Sequence, residues 1–126
     1  MLKPIQLLSQ CMLFSGLTKA QLTELAGIAN KRHCRKGETI FREADAGIGF
    51  YIIASGQVKV FKSSPEGKEQ ILHIFGQGEP IGEVPVFHGQ PYPATAEALS
   101  EVELYFFPRL QFVTLIEKNS SLALNM

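Results

Sequence analysis

The chain has 126 residues, with twelve Lys and Arg balancing twelve Asp and Glu, 45% hydrophobic and 19% charged side chains. That length gives one domain with a real core and no room for a second. The even charge provides no general electrostatic attraction to DNA, RNA or an anionic membrane.

Residues 1–14 are partly apolar, but Lys3, Gln6, Ser9 and Gln10 interrupt them. The stretch is too short and mixed for a membrane span, and it lacks the small-residue cleavage site of a secretory leader. A cytoplasmic protein with no membrane partner is expected. Cys11 and Cys34 stand outside any C-x-x-C pair. Two cysteines are too few for a disulfide framework or for four-cysteine zinc and iron–sulfur sites.

The first clear element is "GLTKAQLTELAGIAN". Thr18 is an N-cap with Gln21 three residues on, a capping box, and Leu17 and Leu22 flank it as a hydrophobic staple. Leu22, Leu25, Ala26 and Ala29 recur at helical spacing and mark the buried face.

From Cys34 the period changes to two, and this cysteine is expected as a small, partly buried side chain at a strand start. "ETIFRE", "GFYIIASGQVKVFKSS", "EQILHIFG" and "ATAEALSEVELYFFP" alternate or carry β-branched and aromatic residues. Turn signals such as Lys36-Gly37, Ser55-Gly56 and Gly76-Gln77-Gly78 separate them. In "QVKVFK", Val58 and Val60 are predicted to point inward while Lys59 and Lys62 reach water.

The helical period returns at the end. Pro108 suits the first turn of a helix whose face is Phe112, Leu115 and Ile116, and Asn119-Ser120-Ser121 breaks it. About eight short strands without long helices between them predict a mainly β fold, a double-stranded β-helix or jelly roll with flanking α-helices. The expected layout is one domain over 1–126. A helical lead-in covers 1–33, the β-roll 34–107 with a short helix near 82–88, and a C-terminal helical segment 108–126.

This order resembles the cyclic nucleotide-binding domain, and more narrowly the N-terminal sensor domain of Crp/Fnr-family transcription regulators. The matching pieces are "LFSGLTKAQLTELAGIA", "CRKGETIFREADAGIGFYIIASGQVKVFK", "EGKEQILHIFGQGEPIGEVPVF" and "PATAEALSEVELYFFPR". Gly37, Gly56, Gly78 and Gly82, with Glu83, form a specific set when taken together. The resemblance implies a small effector bound inside the roll. It also implies a longer regulator that dimerises through a following helix and meets DNA through a C-terminal helix-turn-helix, both expected to lie outside these residues.

The resemblance further implies that Gly82 and Glu83 open the phosphate-binding cassette of the family. A helix start presents unpaired N–H groups, and glycine lets a ligand approach the backbone. Read from the residues alone, the same pair is equally a helix N-terminus stabilised by its own acidic residue. Pro85 removes one amide. In "PYPATAEA", Tyr92 falls where cyclic-nucleotide binders carry the arginine that pairs the phosphate, and Pro93 removes another donor. A neutral phenol in place of that fork forfeits roughly 1.5–3 kcal/mol, or about one to two decades of affinity. The expected effector-binding set is Gly82, Glu83 and Val84 with Tyr92, Pro93, Ala94 and Thr95, and the expected ligand is a small effector other than a tightly held cyclic nucleotide.

Other chemistries stand beside this one. Relatives without the arginine include haem-based gas sensors, so His33, His73 or His88 enters as an axial-ligand candidate, ranked below an ordinary surface histidine. The cofactor stays unknown, a nucleotide-like molecule ahead of haem. Metal-dependent jelly rolls need an H-x-H pair that these histidines do not form, and no local motif establishes a catalytic triad, so catalysis is not expected. A genuine cyclic-nucleotide site and an unliganded interaction module with a self-filled roll complete the alternatives.

Overall fold

The computed structural model describes residues 3–119, and the C-terminal residues 120–126 lie outside it. Helix α1 (Pro4–Gln10) and a 3-10 turn (Met12–Phe14) lead into α2 (Lys19–Ala26). The capping box of α2 is as expected: Thr18 N–H donates to Gln21 Oε1 at 2.9 Å and Gln21 N–H donates to Thr18 Oγ1 at 3.2 Å. Leu17, Leu22 and Leu25 are buried, with Ala26 and Ala29 packed partly against them.

Eight antiparallel strands follow. They are β1 (Asn30–Cys34), β2 (Thr39–Phe41), β3 (Gly49–Ser55), β4 (Val58–Ser63), β5 (Glu69–Phe75), β6 (Pro80–Ile81), β7 (Thr95–Ala98) and β8 (Val102–Pro108). Helix α3 (Glu83–His88) interrupts them after β6, and α4 (Arg109–Lys118) closes the described chain. The strands form two sheets of four, ordered β1-β8-β3-β6 and β2-β7-β4-β5, the face-to-face architecture of a jelly roll. No helix among the described residues is long and apolar enough to cross a membrane.

Two buried clusters lie on opposite faces of the first sheet. Between the sheets, Tyr51, Ile53, Val102 and Leu104 meet Phe41, Val58, Ala96 and Ala98. On the other face Phe50, Ile52, Tyr105 and Phe107 meet α1, α2 and α4 through Leu7, Leu8, Leu25 and Phe112. Alternate residues of β3 and β8 therefore serve alternate clusters. The tight turn after β3 needs Gly56: its φ is 93°, and a Cβ there would stand 2.3 Å from the Glu101 carbonyl oxygen.

Several expectations need correction. The lead-in does not run to residue 33, because Asn30–Cys34 is already a strand, registered against β8 from Asn30↔Phe106 to Cys34↔Val102. Its side chains are mostly exposed, so the segment carries no alternating apolar signal; backbone pairing recruits it. Cys34 is fully buried at the end of that strand, not half-buried at a strand start, and burial pushes its thiol pKa up. Pro108 ends β8 in an extended conformation (φ −61°, ψ 135°), and the helix begins one residue later.

Lys59 does not reach out into water. Its side chain is only 14% exposed, held on the outer face of the second sheet by Glu69 at 2.6 Å and Glu97 at 3.6 Å and lying over the Phe61 ring. Val58 and Val60 face the cluster between the sheets as expected, Val60 half-buried, while Phe61 shares the Lys59 side of the strand. The register shift falls on β5, where Leu72 is the extra residue. Phe112 is buried and Leu115 and Ile116 partly so, as the periodicity predicts, and α4 stops at Lys118 with Asn119 as its C-cap. The Ser120-Ser121 break lies outside the described residues.

Candidate functional site

Helix α3 is six residues long and opens from Gly82, whose φ of 77° is left-handed. Two aromatic rings fix that choice. A Cβ on Gly82 would lie 3.1 Å from Tyr92 Cε1 and 3.3 Å from Phe41 Cε2. The far end of α3 closes on Gly89, and Arg109 Nε donates to the Val86 carbonyl at 2.9 Å. The Phe87 ring stacks on Phe112 with centroids 5.3 Å apart. The cassette helix thus touches the first turn and the buried face of α4.

The segment facing α3 is held by backbone pairing with the loop after β2. Tyr92 N–H donates to the Asp45 carbonyl at 3.0 Å, and Ala44 N–H donates to the Tyr92 carbonyl at 2.8 Å. Between this segment and α3 lies a cavity of about 150 Å³. Gly82, Glu83, Val84, Pro93 and Ala94 all line it, so the structure brings five of the seven expected residues together. The other two stand elsewhere. Thr95 begins β7 and its hydroxyl accepts a hydrogen bond from Glu43 N–H at 3.0 Å.

Tyr92 is only 2% exposed and does not line the cavity. Its ring stacks on Phe41, with centroids 4.0 Å apart and planes 16° from parallel, and its hydroxyl donates to the Gly49 carbonyl. Arg109 N–H donates to the Ile48 carbonyl at 2.8 Å, so by antiparallel alternation the Gly49 carbonyl points away from β8. On that side β6 pairs only with Tyr51 and Ile52, and the phenol supplies the donor. Burial, with Tyr51 nearby, pushes the Tyr92 pKa up to about 12, so it stays a neutral donor.

The remaining walls are Phe41, Val60, Phe75, Ile81 and Pro85. Sequence reasoning did not assign Phe41, Val60, Phe75 and Ile81 to the site. The available signal was weak: each is an apolar strand residue, and four separate strands supply them. Pro85 was singled out only for its missing N–H.

Glu83 is the one ionisable group on the walls, and it forms no ion pair among the described residues. Burial raises its carboxyl pKa above the ordinary value, while a hydrogen bond from its own backbone N–H pulls the other way. Arg32 reaches inward from β1 but is engaged elsewhere, donating to Tyr51 Oη at 2.9 Å and to the Ile40 carbonyl at 3.2 Å. That charge partly offsets the rise in the Tyr51 pKa that burial causes.

The histidines are dispersed. His33 lies 3.9 Å from Glu101 and 3.8 Å from Glu103, His73 lies 4.0 Å from Glu79, and His88 ends α3; all three are exposed and none lines the cavity. Among the described residues no group of three or more His, Cys, Asp or Glu is placed to hold a metal ion.

Known proteins are similar to this chain in sequence and fold. The chain is 30% identical to the CRP-like cAMP-activated global transcriptional regulator of Mycobacterium tuberculosis over 97 residues, covering 77% of this chain and 43% of that protein. It is 30% identical to the cyclic AMP receptor protein of Thermus thermophilus over 114 residues, covering 90% of this chain and 53% of that one. The chain therefore spans about half the length of these relatives. Among solved structures, the sensor domain of the transcriptional regulator DNR from Pseudomonas aeruginosa superposes with a TM-score of 0.82 at 33% identity, covering 94% of this chain and 80% of that one. The sequence pattern of the cyclic nucleotide-binding domain matches residues 31–119, which hold both sheets, the cassette helix and the cavity, and the chain belongs to that family.

Proposed function

We propose that this domain is the small-effector sensor of a Crp/Fnr-type transcription regulator and that it holds cyclic AMP and cyclic GMP weakly. The effector sits among Gly82, Glu83, Val84, Pro93 and Ala94, with Tyr92 behind Phe41 as the support of that wall. The domain acts by binding, not catalysis. In the complete cytoplasmic regulator, a homodimer, binding shifts α4 and the segment C-terminal to it between two arrangements by differential affinity. DNA is then met through a helix-turn-helix outside these residues.

The observation that carries the reading is the composition of the cavity wall. It contains no Lys, Arg or His, and the residue at the family's arginine position is a buried tyrosine whose hydroxyl already serves Gly49. A cyclic phosphate would enter beside Glu83 with no countercharge, losing the charge-assisted contact. Calorimetry with cyclic AMP tests this: the wild-type chain is expected to show no micromolar binding, and Tyr92→Arg, checked for folding by circular dichroism, to gain about one to two decades. Micromolar affinity in the wild type would refute weak binding.

One observation favours a second reading, an interaction module whose roll is filled by its own side chains. Tyr51, Phe41 and Tyr92 stack in sequence inside the roll, and about 150 Å³ is below the roughly 300–1,000 Å³ of a common ligand site. Native mass spectrometry of freshly purified protein separates the two. A bound small molecule supports the sensor, and bare protein that stays bare against a metabolite library supports the module.

A further inference from the structure

We infer that the cavity selects a small, flat, apolar amine and rejects anions, a statement of ligand class that rests on the effector reading above. The walls are built for a ring. Phe41, Val60, Phe75, Ile81 and Ala94 present apolar surface around about 150 Å³, and an apolar cavity of roughly that size accommodates a benzene-sized molecule. Phe41 is itself stacked on Tyr92, so this wall is a braced aromatic face.

The ionisable chemistry of the cavity has one sign. Glu83 is the only ionisable wall residue, half-buried and without an ion pair among the described residues. The cations that would welcome an anion are absent or engaged. Of the first-turn amides of α3 on the wall, the Glu83 N–H is held by its own carboxyl, which leaves the Val84 N–H. Pro85 and Pro93 have no N–H, the Tyr92 hydroxyl donates to Gly49, and Arg32 donates to Tyr51 and Ile40. An ammonium entering beside Glu83 gains an opposite charge and an aromatic face, whereas a carboxylate or phosphate meets a like charge in a site partly shielded from water.

The test is a charge series on one ring: tryptamine, indole and indole-3-acetate, titrated into the full chain by calorimetry, with amide NMR shifts locating the site. Tryptamine is expected to bind about five- to tenfold tighter than indole, and indole-3-acetate more weakly than indole. Shifts should centre on Val60, Phe75 and Val84. Glu83→Gln should collapse this spread while leaving indole within about twofold, the size expected when only a charge contact is lost. Val84→Trp, at a position 59% exposed and so tolerant of bulk, should block all three.

Equal binding of the three probes, an order unchanged by Glu83→Gln, or preference for the anion overturns the amine rule and leaves the sensor reading standing. No binding of any probe up to millimolar concentration overturns it as well. Micromolar binding of cyclic AMP to the same wild-type sample instead removes the weak-nucleotide reading on which the inference rests.

Discussion

Strands β3 and β5 are each seven residues long and each rich in isoleucine and aromatic side chains, yet they have opposite fates. In β3, "GFYIIAS", every residue but the last is buried; in β5, "EQILHIF", every residue but the last is exposed. Ile71, Leu72 and Ile74 are 53%, 49% and 47% exposed. The difference comes from layers. β3 is an inner strand of a sheet covered by helices on one face and by the second sheet on the other, whereas β5 is an edge strand paired only with β4. Apolar content makes a strand able to be buried, and its position in the stack decides whether it is.

The comparison breaks most visibly at Phe50, which is fully buried and touches the rings of Phe14, Phe87, Phe107 and Phe112. Phe50→Ala is expected to cost about 3–5 kcal/mol in urea unfolding. A loss below about 1 kcal/mol would show that the helical layer does not seal that face.

A smaller effect is expected at the seam between the sheets. Tyr92→Phe keeps the stack on Phe41 but leaves the Gly49 carbonyl without the phenolic donor, at a cost of about 1–3 kcal/mol. A neutral outcome in the same unfolding assay would mean that another donor reaches that carbonyl.

Glu83 should give a pH signature. Its pKa is raised on folding, so the protonated form is favoured in the native state, and its contribution is fully present below the unfolded value near 4.5 and lost as pH rises through the higher folded value. Glu83→Gln is therefore expected to raise Tm at pH 7 by a small amount, on the order of 1–2 °C, with the gain gone below about pH 4. Equal gains at both pH values would remove the ionisation as the cause.

The smallest effect is expected on β5. Ile74→Lys should change stability by less than about 0.5 kcal/mol, because the side chain already faces solvent. A loss above about 2 kcal/mol would mean that the outer face of this strand is covered in solution, and the contrast with β3 would narrow.

Features that depend on neighbours along the chain are legible in the residues alone. The capping box at Thr18 and Gln21 places α2, Gly82-Glu83 opens α3, the 112–116 spacing gives α4 its inner face, and alternation marks six of the eight strands. The family is legible too, because those glycines and that glutamate occur together. Features that depend on distant partners emerge only once the chain is folded. β1 is a strand because β8 pairs with it, and β6 because β3 does; neither is written in its own alternation. The cavity needs Phe41, Val60, Phe75 and Ile81 from four strands, and Tyr92 lies behind Phe41 because the Gly49 carbonyl points away from β8, beyond the reach of β6, and takes its donor from a side chain. Local signals report what a residue prefers, whereas pairing and layering report what the rest of the chain places against it.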